Sequence, residues 1–275
     1  MRIEEMREQK RQLGLTNEQI AELSGVPLGT VQKVFGGITK SPRYDTLLAL
    51  EKVLAGEDAG KGPEELRPAF VEESSGYTVE GSSAKSTGKK QGEYTVEDYL
   101  RLPDDRRYEL INGDLYVMEA PSSGHQMMGG MIYRELTNYI LEKGRECTPF
   151  ISPLDVQLNN DNKTMVQPDV IVVCDRSKMK GGKCHGAPDL VVEVLSPSTM
   201  WKDMSLKYDI YFHAGVREYW MIDLKGKRIL VYLMDESESV CRIYGMEDQV
   251  PVSIFDGGCV IDFRKIWEHT AWLEE

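Results

Sequence analysis

No stretch of this chain approaches the ~18 consecutive apolar residues that a membrane-spanning helix needs. Its N-terminus, MRIEEMREQKRQ, is charged throughout and lacks the apolar centre of a secretory leader. Together these absences point to the cytoplasm. There is no CxxC pair either. The five cysteines, Cys147, Cys174, Cys184, Cys241 and Cys259, are scattered, as expected for buried free thiols in a reducing compartment. A zinc site from Cys174, Cys184 and His185 is the minor alternative. An excess of positive charge is missing too, since the net charge is −12. Residues 1–60 are nearly neutral, with 8 basic and 9 acidic side chains. Residues 93–275 carry 20 basic and 31 acidic side chains, a balance of −11. That balance argues against a broad basic surface for wrapping nucleic acid and leaves room for a local one. Internal repeats are absent, and only residues 56–92 are compositionally biased.

What is present fits an ordinary globular protein: 275 residues, 41% hydrophobic and 28% charged. That length suggests roughly two domains at about 100–200 residues each. Residues 1–55 read as four or five short helices. Gly14 stops the first, and Thr16 with Gln19 forms a capping box that opens the second. Ser24-Gly25-Val26 makes a tight turn, with Pro27 placed as the first residue of the next helix. That helix, Leu28 to Phe35, turns Val31, Val34 and Phe35 inward. Short helices joined by a glycine turn are the arrangement that places a second helix in the DNA major groove. Residues 56–92, rich in Gly, Ser, Lys and Glu, read as a flexible linker.

Residues 93–275 alternate strand and helix signals. Thr95 caps a short helix, and Asn112-Gly113 predicts a hairpin between Tyr108–Ile111 and Asp114–Met118. A long amphipathic helix spans 125–143. Strands follow near 150–158 and 165–173, then at 190–194. After the SPST loop, 200–214 is helical, and strands at 218–223, 228–233 and 241–244 come last. The expected architecture is a mixed central sheet flanked by helices, of the α/β or α+β class.

Two of these strands, Val170 to Val173 and Leu190 to Val194, are continuous and β-branched, which suits burial on both faces. Asp169 opens the first and Glu193 lies inside the second. A carboxylate in a buried strand is costly unless a cation compensates it. If the two strands are neighbours, Asp169 and Glu193 stand within ~5 Å on one face. Mg²⁺ takes one or two carboxylates plus water and phosphate oxygens. Asp189, four residues before Glu193, lies roughly 13 Å away along the strand and instead shapes its start. Lys207 comes from the following helix; the bland alternative is a surface pair with Asp203.

The run LTNEQIAELSGVPLGTVQKVFGGITKSPRYDTLLALEKVL resembles the lambda-repressor-like (Xre-type) helix-turn-helix family over nearly all of residues 1–55. The resemblance implies a phosphate contact at Asn17, base or backbone contacts at Gln32 and Lys33, and another phosphate contact at Lys40. Leu28 and Gly29 depart from the polar residues common there. PD-x(23)-E-V-L resembles the PD-(D/E)XK nuclease superfamily, but Leu195 stands where its lysine belongs. The ordered motifs YELINGD, H-x(5)-M-I-x-x-E-L, QPDVIVV, PDLVVEVLSPST, D-x-x-x-K-x-x-x-Y and GVREYWMID look like one branch of that superfamily. It is the large bacterial family of restriction endonuclease domains of unknown biological role, and the match covers roughly residues 94–265. The resemblance implies Asp169 and Glu193 as ligands of Mg²⁺ or Mn²⁺, Lys207 as the displaced lysine and Glu109 as an early catalytic acid. His125 and Tyr211 match family positions and are expected to support the site from behind the ligands. The expected function is a metal-dependent DNA endonuclease targeted by the helix-turn-helix. The alternative is a DNA-binding regulator whose nuclease fold only senses or dimerises. DNA is the expected partner and a homodimer the expected assembly.

Overall fold

The computed structural model describes residues 3–13, 15–36, 39, 42, 44–54, 89–158, 162–196, 202–234 and 239–273. The chain divides into two compact units, Met1–Gly76 and Tyr77–Glu275. The linker expected over 56–92 lies, up to residue 88, outside the described residues.

The first unit contains α1 (Ile3–Leu13), α2 (Asn17–Ser24), α3 (Leu28–Phe35) and α4 (Tyr44–Leu54). Thr16 Oγ1 accepts the Gln19 N–H at 3.2 Å while Gln19 Oε1 accepts the Thr16 N–H at 2.9 Å, closing the capping box. Gly25 ends α2 with φ 69°, a left-handed conformation that glycine adopts without a Cβ clash. Pro27 takes the cap position of α3 rather than its first helical residue, and its carbonyl accepts the Thr30 N–H at 2.8 Å. Met6, Ile20, Val31, Val34, Leu47 and Leu50 form the buried core of the helices. Phe35, expected inward, is half-buried with the Lys10 ammonium over its ring.

The second unit is built on a six-stranded sheet in the order β11-β10-β9-β8-β5-β3. Its strands are β3 (Thr148–Ile151), β5 (Val170–Val173), β8 (Leu190–Val194), β9 (Glu218–Asp223), β10 (Arg228–Met234) and β11 (Ser239–Gly245). Only β8 and β9 run parallel; the other neighbours are antiparallel. α6 (Ser123–Glu142) and α8 (Phe263–Thr270) cover one face. Met128, Ile132 and Leu136 of α6 pack there with Val170, Val172, Val192, Trp220 and Ile222. Because strand side chains alternate faces, Val191 and Glu193 turn to the opposite face. There α7 (Tyr208–Ala214) places Tyr211 5.0 Å from Tyr219, ring centre to ring centre.

Beside this sheet sit the hairpin β1 (Arg107–Ile111) and β2 (Asp114–Met118), turned by Asn112 at φ 52° and Gly113 at φ 87°. α5 (Val96–Tyr99) packs on it through the Val96, Tyr108, Leu110 and Met165 cluster. A small sheet of β4 (Val156–Gln157), β6 (Met179–Lys180) and β7 (Lys183–His185) completes this side.

Four sequence readings need correction. The strand expected over 150–158 is broken at Ser152-Pro153, since proline has no N–H for the ladder. From 165 to 173 only Val170–Val173 is continuous strand; Met165 and Val166 make isolated bridges to Leu110 and Val156. The fold does not end at residue 244: a hairpin of β12 (Gln249–Val252) and β13 (Cys259–Asp262) follows, then α8. Finally, Cys147 and Cys174 are joined in a disulfide rather than free. The β3–β5 register pairs Thr148 with Val173, so one further step sets these two cysteines opposite each other. That removes Cys174 from any zinc set, while Cys184 is a buried free thiol.

Candidate active site

The β5–β8 register pairs Val170 with Val192. Extended by one residue it sets Asp169 across from Glu193, and opposite residues in antiparallel strands share a face. The Val194 N–H donates to Asp169 Oδ2 at 2.8 Å, tying this carboxylate to the neighbouring strand. His125, in the first turn of α6, brings Nε2 to 3.1 Å from the same oxygen. Burial works against the imidazolium, but the hydrogen bond and charge of Asp169 outweigh it, so the His125 pKa is raised.

Glu193 is met from the other side. Lys207 Nζ and the Tyr211 hydroxyl each donate to Glu193 Oε1 at 2.7 Å. Lys207 is 2% exposed and is surrounded by three carboxylates: Glu193, Glu109 at 2.9 Å and Asp203 at 3.3 Å. Its pairing with Asp203 is therefore buried, so the alternative of a surface pair fails. Burial disfavours the Lys207 ammonium, yet the three acids hold its pKa well above the ordinary lysine value. Glu193 is raised as well: burial, with Asp203, Asp169 and Glu109 nearby, lifts its carboxyl against the pull of one ammonium. Tyr211 is raised by burial and by Glu193.

Glu109 lies on β1 and is fully enclosed. Its Oε1 takes the Lys207 ammonium and the Gln167 N–H, the latter at 3.0 Å, while Oε2 takes Lys202 Nζ at 2.6 Å. Although burial raises its pKa, Lys207 and Lys202 together bring it down to about 2. Both of its oxygens are thus engaged. Lys202 was not anticipated, nor were the buried role of Asp203 and the contribution of Gln167. Residues five apart on an α-helix lie about 140° from each other. Lys202–Lys207, however, is wound as a π-helix, in which i and i+5 are bonded neighbours. That winding brings both lysines onto Glu109.

Asp169, Glu193, Lys202, Asp203, Lys207 and His125 line one open cleft of about 1270 Å³. Among the described residues no group of three His, Cys, Asp or Glu side chains converges as a metal cage. Those residues therefore build no closed zinc-type site. Two carboxylates, each with one oxygen making no hydrogen bond to the described residues, fit Mg²⁺, which takes one or two carboxylates and completes its shell with water.

In the helical unit, Gln32 and Lys33 are exposed on α3. Asn17 is half-buried at the start of α2 and accepts a hydrogen bond from Lys10 Nζ. Lys40 lies outside the described residues.

Residues 96–262 match the model of the Uma2 family, described as "Putative restriction endonuclease". The chain belongs to this family. Residues 3–57 match a helix-turn-helix family. The chain is 31% identical over 140 residues to the uncharacterized protein slr1290 of Synechocystis sp., a match covering 50% of this chain and 72% of that protein. Among solved structures it is similar to a "putative nuclease belonging to DUF820" from Anabaena variabilis, with TM-score 0.52 and 20% identity. That similarity covers 65% of this chain and 98% of the solved one, and it shows the shared fold of the Uma2 unit. No helix of the described residues is long and apolar enough to cross a membrane.

Proposed function

We propose that the Uma2 unit hydrolyses phosphodiester bonds of DNA with Mg²⁺ or Mn²⁺, and that the helix-turn-helix unit delivers it to DNA. The observation carrying this reading is the lysine. Leu195 occupies the usual position, yet Lys207 brings its ammonium to 2.7 Å from Glu193, in the cleft that Asp169 also lines. Asp169 and Glu193 would hold the metal, which would activate water and brace the phosphate. Lys207 is held charged by its acids, so it is no proton acceptor. Its part is to balance charge beside the phosphate and, with Tyr211, to fix the Glu193 carboxylate. His125 orients Asp169 in the same way. Glu109 is a positioning residue that anchors Lys202 and Lys207.

In the helical unit, exposed Gln32 and Lys33 on α3 would meet base edges or backbone, and Asn17 and Lys40 phosphates. A homodimer belongs to this reading, because helix-turn-helix proteins commonly bind paired half-sites; light scattering on the full chain tests it.

The deciding assay is Mg²⁺-dependent cleavage of plasmid, single-stranded DNA and RNA by the full chain. Glu193→Gln and Lys207→Ala should each abolish it. A wild-type chain inert on all three substrates would leave the second reading, a DNA-binding regulator built on a non-catalytic nuclease fold. One observation favours that reading: one oxygen of Glu193 is already engaged from within the protein by Lys207 and Tyr211.

A further inference from the structure

The same cleft has a cationic wall that the acid cluster does not use. The turn between β9 and β10 carries Lys225 and Lys227, both exposed and both lining the cleft. Among the described residues neither forms an ion pair with a carboxylate, whereas Lys202 and Lys207 are consumed by the acids at the cleft floor. The nearest acid in sequence, Asp223, is 3% exposed and turned inward. Its Oδ1 accepts the Gly226 N–H at 2.7 Å and its Oδ2 accepts Arg228 Nε at 3.0 Å.

This turn is tightly constructed. A Cβ on Gly226 would stand 2.2 Å from Asp223 Oδ2, so no other residue fits there without moving the carboxylate. Lys227 adopts φ 50°, a left-handed conformation uncommon outside glycine, asparagine and aspartate. Its ammonium then lies 5.8 Å from the centre of the Trp267 ring, on α8, which also lines the cleft. The ring face attracts a cation and limits where it points. Arg106 and Arg107 line the cleft as well, but Asp104 and Asp105 accompany them and dilute their charge. Among the described residues the lysine turn has no such counterweight.

We propose that the β9–β10 turn is a phosphate-binding arm of the cleft. Lys225 and Lys227 contact backbone phosphates beside the one presented to Asp169 and Glu193, and Trp267 props Lys227 in place. The chemistry recognised is a run of phosphodiesters, without regard to base. In a chain of net charge −12, two ammoniums with no carboxylate partner among the described residues, above a floor of acids, give a strand a place to lie while keeping its phosphates off the other carboxylates. The proposal rests on reading the cleft as a phosphodiester site.

The test is lysine acetylation footprinting of the full chain at low salt with EDTA, alone and with duplex DNA, single-stranded DNA or RNA of one sequence. Lys225 and Lys227 should be protected by at least one of the three, which also identifies the strand type, while Lys163 stays equally reactive. Equal acetylation of both lysines in all four samples would overturn the proposal. In the cleavage assay, Lys225→Ala with Lys227→Ala should raise KM, leave kcat near wild type and lower the salt slope of kcat/KM by about two, one per phosphate contact. Lys227→Arg should restore most of the loss. Unchanged KM and salt slope in a cleaving enzyme would also overturn the arm. Protected lysines in a chain that cleaves nothing would instead remove the nuclease reading and leave the phosphate-binding arm standing.

Discussion

Glu109 and Glu193 are both buried glutamates on strands, both touch Lys207, and yet they are opposite in character. Glu109 has two ammoniums and a backbone N–H on its oxygens, and its carboxyl sits at about 2. Glu193 shares one ammonium with two other acids, and its carboxyl is pushed up. The count of cations per carboxylate, rather than burial alone, separates the two. A metal ion at Glu193 would restore what Glu109 already has.

The sharpest way to break this contrast is to neutralise each acid in turn. Glu109→Gln removes the carboxylate paired with Lys202 and one of the three around Lys207, and should cost about 3–5 kcal/mol of stability, the range for breaking a buried ion pair. Glu193→Gln keeps an oxygen for Lys207 and Tyr211 and should cost clearly less while abolishing cleavage. Urea unfolding of both variants checks the order, and equal losses would mean that the two acids play one role.

Acid pH probes the same difference. A carboxyl whose folded pKa is depressed contributes its stability fully above the unfolded value and loses it as pH falls through the folded value. For Glu109 that window runs from 4.5 down to about 2. At ~1.4 kcal/mol per pH unit it is worth about 3 kcal/mol. Wild type should therefore lose more stability than Glu109→Gln across this window, and parallel pH curves would contradict the assignment.

Metal addition sharpens the other side. Mn²⁺ at a hundred times its Kd should stabilise the wild type by about 2.7 kcal/mol. The rise in Tm should vanish in Glu193→Gln, and a wild type whose melting ignores millimolar Mn²⁺ would count against Asp169 and Glu193 as ligands. The smallest effect is expected in the helical unit. Exposed Lys33→Ala should leave Tm within error and lower the salt slope of duplex binding by about one. An unchanged slope would move Lys33 off the DNA.

Features that depend on a few adjacent residues were legible before any folding in three dimensions. Asn112-Gly113 specified its hairpin because a tight turn needs two consecutive residues that tolerate positive φ. Thr16 and Gln19 specified the start of α2 because a capping box closes within one turn. The runs VIVV and LVVEV announced buried strands, and an acid between valines marked Glu193.

What meets across distance came only from packing. The strand register faced Asp169 with Glu193 and Cys147 with Cys174, residues that no local pattern couples. It brought Gln167 and Lys202 onto Glu109, the second through a π-helical turn that ordinary helix periodicity would not suggest. It also turned Lys207 from a plausible surface partner of Asp203 into the buried hub of three acids. The physical reason is range. Caps and turns are settled within about four residues, whereas a charge buried in a fold is stabilised by whichever opposite charges packing brings to it.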